Sequence, residues 1–165
     1  MANAGKRAIA KVLHLLDTPA GLTENLGAVS ELEGIELPEI TLKQVFTHNV
    51  SQELVERSVD LRYPTLHLYC ERVSNTLREK FRTFSGSVQM ALEVRVSHDR
   101  LEGLDQRLQV YVDVVTRILD QNRGDWGSGM FYTGGYEALF EPVKRGGKNF
   151  IQTGKVRFEV LVSVD

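Results

Sequence analysis

At 165 residues the chain has room for one domain with a substantial core, in which roughly 70% of the unfolded surface is removed from water. Hydrophobic residues make up 42% and charged residues 25%, and a net charge of −2 excludes a global attraction to nucleic acid or to an anionic membrane. The single cysteine, Cys70, excludes an internal disulfide and points to folding in a reducing compartment.

In chain order, residues 4–17 predict a first helix, with Ile9, Val12, Leu13 and Leu16 on one stripe and Lys6, Arg7 and Lys11 off it. Pro19 and Gly21 end it. Lys11 and His14 interrupt the apolar run after Lys6 and Arg7, so no secretion signal is expected. No run reaches the ~18 apolar residues of a membrane span, and a soluble protein made in the cytosol is expected. Residues 18–39 lack a clean period and read as irregular. The charge is concentrated here: Asp17, Glu24, Glu31, Glu33, Glu36 and Glu39 fall between Val12 and Leu42 with no Lys or Arg, leaving +4 for the remainder. A solvated loop and an electrostatic partner surface both fit this pattern.

Residues 40–46 predict a short strand and 51–61 a turn or more of helix. Pro64 forces an extended approach to a strand at 65–71, where Cys70 reads as a small buried hydrophobe. Residues 77–84 alternate weakly, with Arg78, Lys80 and Arg82 on one side. Ser85 and Gly86 then read as a turn into the next strand, making an antiparallel hairpin. That strand has Val88, Met90, Leu92, Val94 and Val96 on a buried face and Gln89, Ala91, Glu93, Arg95 and Ser97 on a mostly polar one.

The period then changes to threes and fours at Leu101, Leu104, Leu108, Tyr111, Val112, Val115 and Leu119, an amphipathic helix. Asp99 with Glu102 reads as its N-cap and capping box, and 122–124 as its stop. Beyond it, Trp126, Phe131, Tyr132, Tyr136 and Phe140 are interleaved with glycines, fitting either local core under a loop or a protein interface. Residues 140–143 predict a strand, Arg145 to Lys148 a hairpin turn, and the chain closes on a strand with Val156, Phe158, Val160, Val162 and Val164 facing one way. The expectation is a single α+β domain over 1–165, with an N-terminal helix at 1–17, an acidic irregular segment at 18–39 and a sheet-and-helix body at 40–165. Its mostly antiparallel sheet carries the long helix and the N-terminal helix on one face.

Chemistry is not signalled. His14, His48, His67 and His98 lie in separate segments without metal-ligand spacing. The glycine-rich stretches lack the marks of a phosphate loop or dinucleotide site, and no nucleophile has an evident base. No catalytic, cofactor or metal residue is assigned, and a non-enzymatic protein is expected. Two features could bind a partner: the Arg78, Lys80, Arg82 row and the aromatic–glycine region from Trp126 to Phe140.

Several runs resemble a known family. They are Arg62-Tyr-Pro64, Tyr69-Cys-Glu-Arg-Val73, Lys80-Phe-Arg-Thr-Phe-Ser-Gly86, Gly124-Asp-Trp-Gly127, Phe131-Tyr-Thr-Gly-Gly-Tyr136 and Lys144-Arg-Gly-Gly-Lys-Asn-Phe-Ile-Gln152. Together they resemble the tail terminator, or tail completion, proteins of tailed bacteriophages, over residues 60–164. The resemblance implies a small α+β fold assembled as a hexameric ring in the virion neck. The ring would cap the tail tube protein, stop its polymerisation and meet the head connector, while DNA passes through the lumen without sequence recognition. Contacts with neighbours are then expected from Glu31, Glu33 and Glu36, from Arg78, Lys80 and Arg82, and from Trp126, Phe131, Tyr132, Tyr136, Lys144 and Arg145. The acidic segment of one subunit would face a neighbour's basic edge. A head-completion or connector-like adaptor and a nucleic-acid-binding module are the alternatives.

Overall fold

The computed structural model describes residues 3–50, 61–76 and 79–165. Its spine is a pair of long antiparallel strands, β3 (Phe84–His98) and β7 (Asn149–Val164), in register from Phe84↔Val164 to His98↔Phe150. Both are rich in β-branched residues at alternate positions, which suits a pleated and half-buried surface. On one flank of the pair lies β2 (Thr65–Ser74), antiparallel to β3, followed by the two-residue β1 (Val45–Phe46), parallel to β2. On the other flank lies β5 (Met130–Phe140), followed by the short β4 (Gly124–Gly127). A third short strand, β6 (Lys144–Gly146), pairs with the start of β7 through a tight turn at Gly147 and Lys148. Among the described residues the order is β1-β2-β3-β7-β5-β4, a mixed but mostly antiparallel sheet of seven strands.

Among the described residues three helices, α1 (Ala4–Asp17), α2 (Leu22–Glu33) and α3 (Leu104–Gln121), join the sheet in an α+β fold. α3 packs on β3, β5 and β7, while α1 packs on β2 and β3. Both lie on the same face: Gly5 of α1 abuts Cys70, which pairs with Met90, and α3 covers Gly154, which pairs with Val94. A Cβ at Gly154 would stand 2.7 Å from Val112 Cγ2 and 3.3 Å from Leu108 Cδ1, so the missing side chain sets how closely α3 approaches the sheet. Val88, Met90, Leu92, Val94, Val156, Phe158, Val160 and Val162 are all buried beneath the helices in one continuous core.

α2 corrects the expectation of an irregular segment at 18–39. Leu22, Leu26 and Val29 do recur at helical spacing, but Gly27 and the surrounding polar residues obscure so narrow a stripe. What stabilises it is tertiary. α2 packs on α3, and buried Asn25 donates through Nδ2 to Ala20 O (2.9 Å), Gly21 O (2.9 Å) and Gln121 Oε1 (3.0 Å). That coverage widens the buried arc of α3, where Val110 and Val114 are buried besides the anticipated stripe. Gly34, at φ 64°, ends α2 in the left-handed region.

Other expectations shift. The first helix has the anticipated bounds, but its buried stripe is centred on Ala4, Ala8, Val12, Leu15 and Leu16. Residues 40–46 hold a 3₁₀ turn (Leu42–Gln44) before β1 instead of one strand. The turn or more of helix expected at 51–61 falls almost wholly outside the described residues. No strand occupies 79–83, and Ser85 and Gly86 lie inside β3; the hairpin is formed by β2 and β3 themselves. The capping box at Asp99 and Glu102 does not form. α3 begins at Leu104 behind Gly103 (φ 76°), Asp99 lies 3.1 Å from His98 Nδ1, and Leu101 is exposed. The aromatic–glycine loop is instead β4 and β5, and Phe140 ends β5 where a separate strand at 140–143 was expected.

Candidate functional site: the open sheet face and its bare edge

The face of the sheet turned away from the helices has the polar period of four strands: Thr65, His67, Tyr69 and Glu71 on the β2 side, Ala91, Glu93 and Arg95 on β3, Thr153, Lys155 and Arg157 on β7, and Glu137 and Leu139 on β5. Its centre is not solvated. Glu93 and Arg95 have side-chain exposures of only 9% and 7%. Carboxylate and guanidinium meet at 2.7 Å through Arg95 Nη2 and 3.2 Å through Nε, and the Tyr69 hydroxyl donates to Glu93 Oε1 at 2.6 Å. Lys155 Nζ lies 3.3 Å from Glu93 and 3.1 Å from Glu71, and Arg157 reaches Glu71 at 3.0 Å. Lys155 also stands over the Tyr69 ring, 5.5 Å from its centroid.

Each ionisation state follows from this arrangement. Burial alone would push Glu93 up, but the Tyr69 and Arg95 hydrogen bonds outweigh it and hold the carboxyl below its usual range. Burial and the Glu93 hydrogen bond push Tyr69 up to about 12. Burial pulls on Lys155 in the opposite direction from its contacts with Tyr69 and Glu71, and the contacts win, so it stays charged. Neither Glu93 nor Tyr69 is poised to exchange a proton near neutrality; the network is a set of fixed charges. It borders a cleft of about 360 Å³ closed by Val50, Lys144 and Glu141. Val50 O accepts from Arg95 Nη2 at 3.0 Å, and Arg95 Nη1 has no hydrogen-bond partner among the described residues.

His67 sits beside the network, fully buried, with its ring stacked on Phe46 of β1 (centroids 5.1 Å apart) and Nε2 3.1 Å from Thr65 Oγ1. Burial and the nearby Arg95 lower its pKa to about 4, so it is neutral in the folded protein at neutral pH. Apart from Lys144, none of these residues carried a functional expectation from sequence. The available signal was charge at alternate positions, the opposite pair Glu93 and Arg95 and the two cations Lys155 and Arg157, on strands whose other face is apolar.

The anticipated contact residues are scattered. Glu31 and Glu33 are exposed on α2, and Glu36 is exposed just after it. Arg78 lies outside the described residues. Lys80 and Arg82 are exposed in the β2–β3 connection, not aligned on a strand, and Arg82 is held by Asp165 and, at 3.9 Å, by Glu79. The aromatic group divides. Trp126 and Tyr132 are core: Trp126 Nε1 donates to Asn122 O at 2.7 Å, and Tyr132 packs against Trp126 and edge-on to Phe158. Phe131, Tyr136 and Phe140 are 48%, 42% and 46% exposed, with Leu139 at 38%. Lys144 pairs with Glu141 at 3.3 Å at the cleft rim, and Arg145 is exposed on β6.

Those exposed apolar residues lie on β5, whose course is broken by a bulge between Tyr132 and Tyr136. Gly134, at φ 95°, carries the bulge, where a Cβ would fall 2.6 Å from the Arg123 side chain. Beyond it, β5 pairs inward with β7, but β4 has already ended at the level of Tyr132. Residues 133–140 therefore have no outer strand among the described residues. At the opposite end, β1 covers only Leu66 and His67, and the outer edge of 68–74 on β2 is likewise without a strand.

Among the described residues, no helix is long and apolar enough to cross a membrane, and no group of three or more His, Cys, Asp or Glu side chains is placed to hold a metal ion. No protein-family model matches the chain, and no curated protein matches it.

Proposed function

We propose that this chain is a structural assembly protein of a tailed-bacteriophage virion, a tail terminator that forms a ring at the neck. In that position the ring caps the tail tube, stops its polymerisation and presents its other surface to the head connector. The observation that carries the reading is the outer edge of β5. Soluble monomers protect an edge strand with charges, prolines or a covering element, because unpaired N–H and C=O groups recruit other strands. Here the edge instead presents Tyr136, Leu139 and Phe140, with Glu137 as its single charge. Such an edge suits a subunit that completes its sheet on a neighbour.

The motifs behind the resemblance fall on the approach to β2, on β2, on the β2–β3 connection and the start of β3, on β4 and β5, and on the β6–β7 hairpin, so that they include both strands with an open edge. A polar face of paired, fixed charges also suits a surface along which DNA passes without sequence recognition. The test is electron microscopy of particles made without this protein. Over-long or unattached tails are the expected result. Tails of normal length beside heads that fail to join would instead assign the chain to head completion, and normal intact particles would remove it from the neck altogether.

A further inference from the structure

We infer that the two open edges of the sheet are halves of one contact: residues 135–140 of β5 pair antiparallel with residues 68–74 of β2 in a second copy, with Glu71 bulged out as it is against β3, so that Glu137 stands opposite Arg72 and the sheet continues from subunit to subunit. The inference rests on the ring reading and specifies which surfaces close the ring.

The strand directions permit it. From β2 through β3 and β7 to β5 each neighbour is antiparallel to the last, so β2 and β5 run in opposite directions. A copy placed beside the first in the same orientation brings its β2 against β5 antiparallel, continuing the alternation. With Glu71 left out of the ladder, six residues of each stretch face one another and can satisfy each other's backbone groups.

Charge selects this partner over the alternative. Glu137 faces Arg157 across β5 and β7, but Arg157 is engaged by Glu71, and Glu137 forms no ion pair among the described residues. At the other edge, a register shift between Cys70 and Arg72 turns Arg72 onto the polar face, opposite Gln89, where it too forms no ion pair among the described residues. Each edge thus presents one uncompensated charge on the same face of the sheet, acidic on β5 and basic on β2. Pairing β5 with itself over 134–140 would set Glu137 directly against its own copy, because it is the middle residue of the stretch. Self-pairing is therefore disfavoured, and the head-to-tail contact, which closes into a ring, is favoured.

The test uses the full chain and sedimentation velocity over a range of concentrations and salt. The wild-type protein is expected to sediment as a closed oligomer. Glu137→Arg and Arg72→Glu, both at exposed positions, should each weaken association at least tenfold. The double reversal, which restores opposite charges, should recover most of the loss. A wild-type chain that remains monomeric at every concentration would overturn the ring reading and this contact with it. A stable oligomer indifferent to both single reversals would overturn the contact while leaving the ring standing.

Discussion

Tyr69 and Glu93 are diagonal neighbours across β2 and β3, and the tyrosine hydroxyl donates to the carboxylate at 2.6 Å on the sheet face opposite α1 and α3. The bond is the innermost point of the charge network, since the same carboxylate also binds Arg95 and Lys155. Removing one member of a buried pair leaves the other charged and desolvated. Glu93→Ala is therefore expected to cost about 3–5 kcal/mol in urea unfolding, and Tyr69→Phe about 1.5–3 kcal/mol. Replacing the pair together, as Glu93→Leu with Arg95→Met, should recover most of that loss. A single Glu93→Ala loss below about 1 kcal/mol would mean that water already solvates the network.

His67 makes stability depend on pH. Its folded pKa, about 4, lies below the ordinary 6.5, so the unfolded chain binds a proton that the folded one refuses. Stability should fall as pH drops from about 6.5 to about 4 and then level off for this group, a change of up to roughly 3 kcal/mol. Glu93 acts in a separate window: its lowered folded pKa gives stability that is present above the ordinary carboxylate pKa and lost as pH falls through the folded value. His67→Gln should flatten the upper window and leave the acid limb. Identical pH profiles for the two proteins would contradict this account.

Gly154 holds α3 against the sheet. Gly154→Ala drives a methyl into Val112 and should cost about 1–3 kcal/mol, whereas Gly135→Ala, with nothing within 4 Å of its Cβ position, should be near neutral. Equal losses at the two positions, read from thermal unfolding, would argue against the close packing of α3.

These predictions rest on features the sequence displayed unequally. The alternation in β7, the bounds of α1 and the body of α3 were legible because each has a strong period facing one core. α2 was not, because its stability comes from a partner helix and from Asn25, a polar residue that a hydrophobic pattern cannot count. The polar period of β3 was visible, yet Glu93 and Arg95 read as solvent-facing because their cover comes from sequence-distant Tyr69, Val50 and Lys155. The start of α3 was misplaced because a plausible Asp–Glu cap lay four residues ahead of the glycine that caps it.

The aromatic residues after α3 divide by position, and so should their variants. Tyr132→Ala removes a fully buried ring from between Trp126 and Phe158 and should cost about 3–5 kcal/mol. Phe140→Ser, at an exposed position, should change the stability of the monomeric chain by less than about 0.5 kcal/mol. Chemical denaturation of both variants at a concentration where the protein is monomeric separates the two outcomes.

The β3–β7 ladder has a mechanical consequence. Fifteen residue pairs in unbroken register make a ladder roughly 50 Å long at about 3.4 Å per residue. A load applied along these strands, pulling one against the other, strains all the rungs at once instead of peeling them apart one after another. In a part that joins two bodies, stiffness along one axis fixes the distance between them. The length of the sheet along this axis is therefore set by two strands, while the loops at either end remain free to vary without altering it.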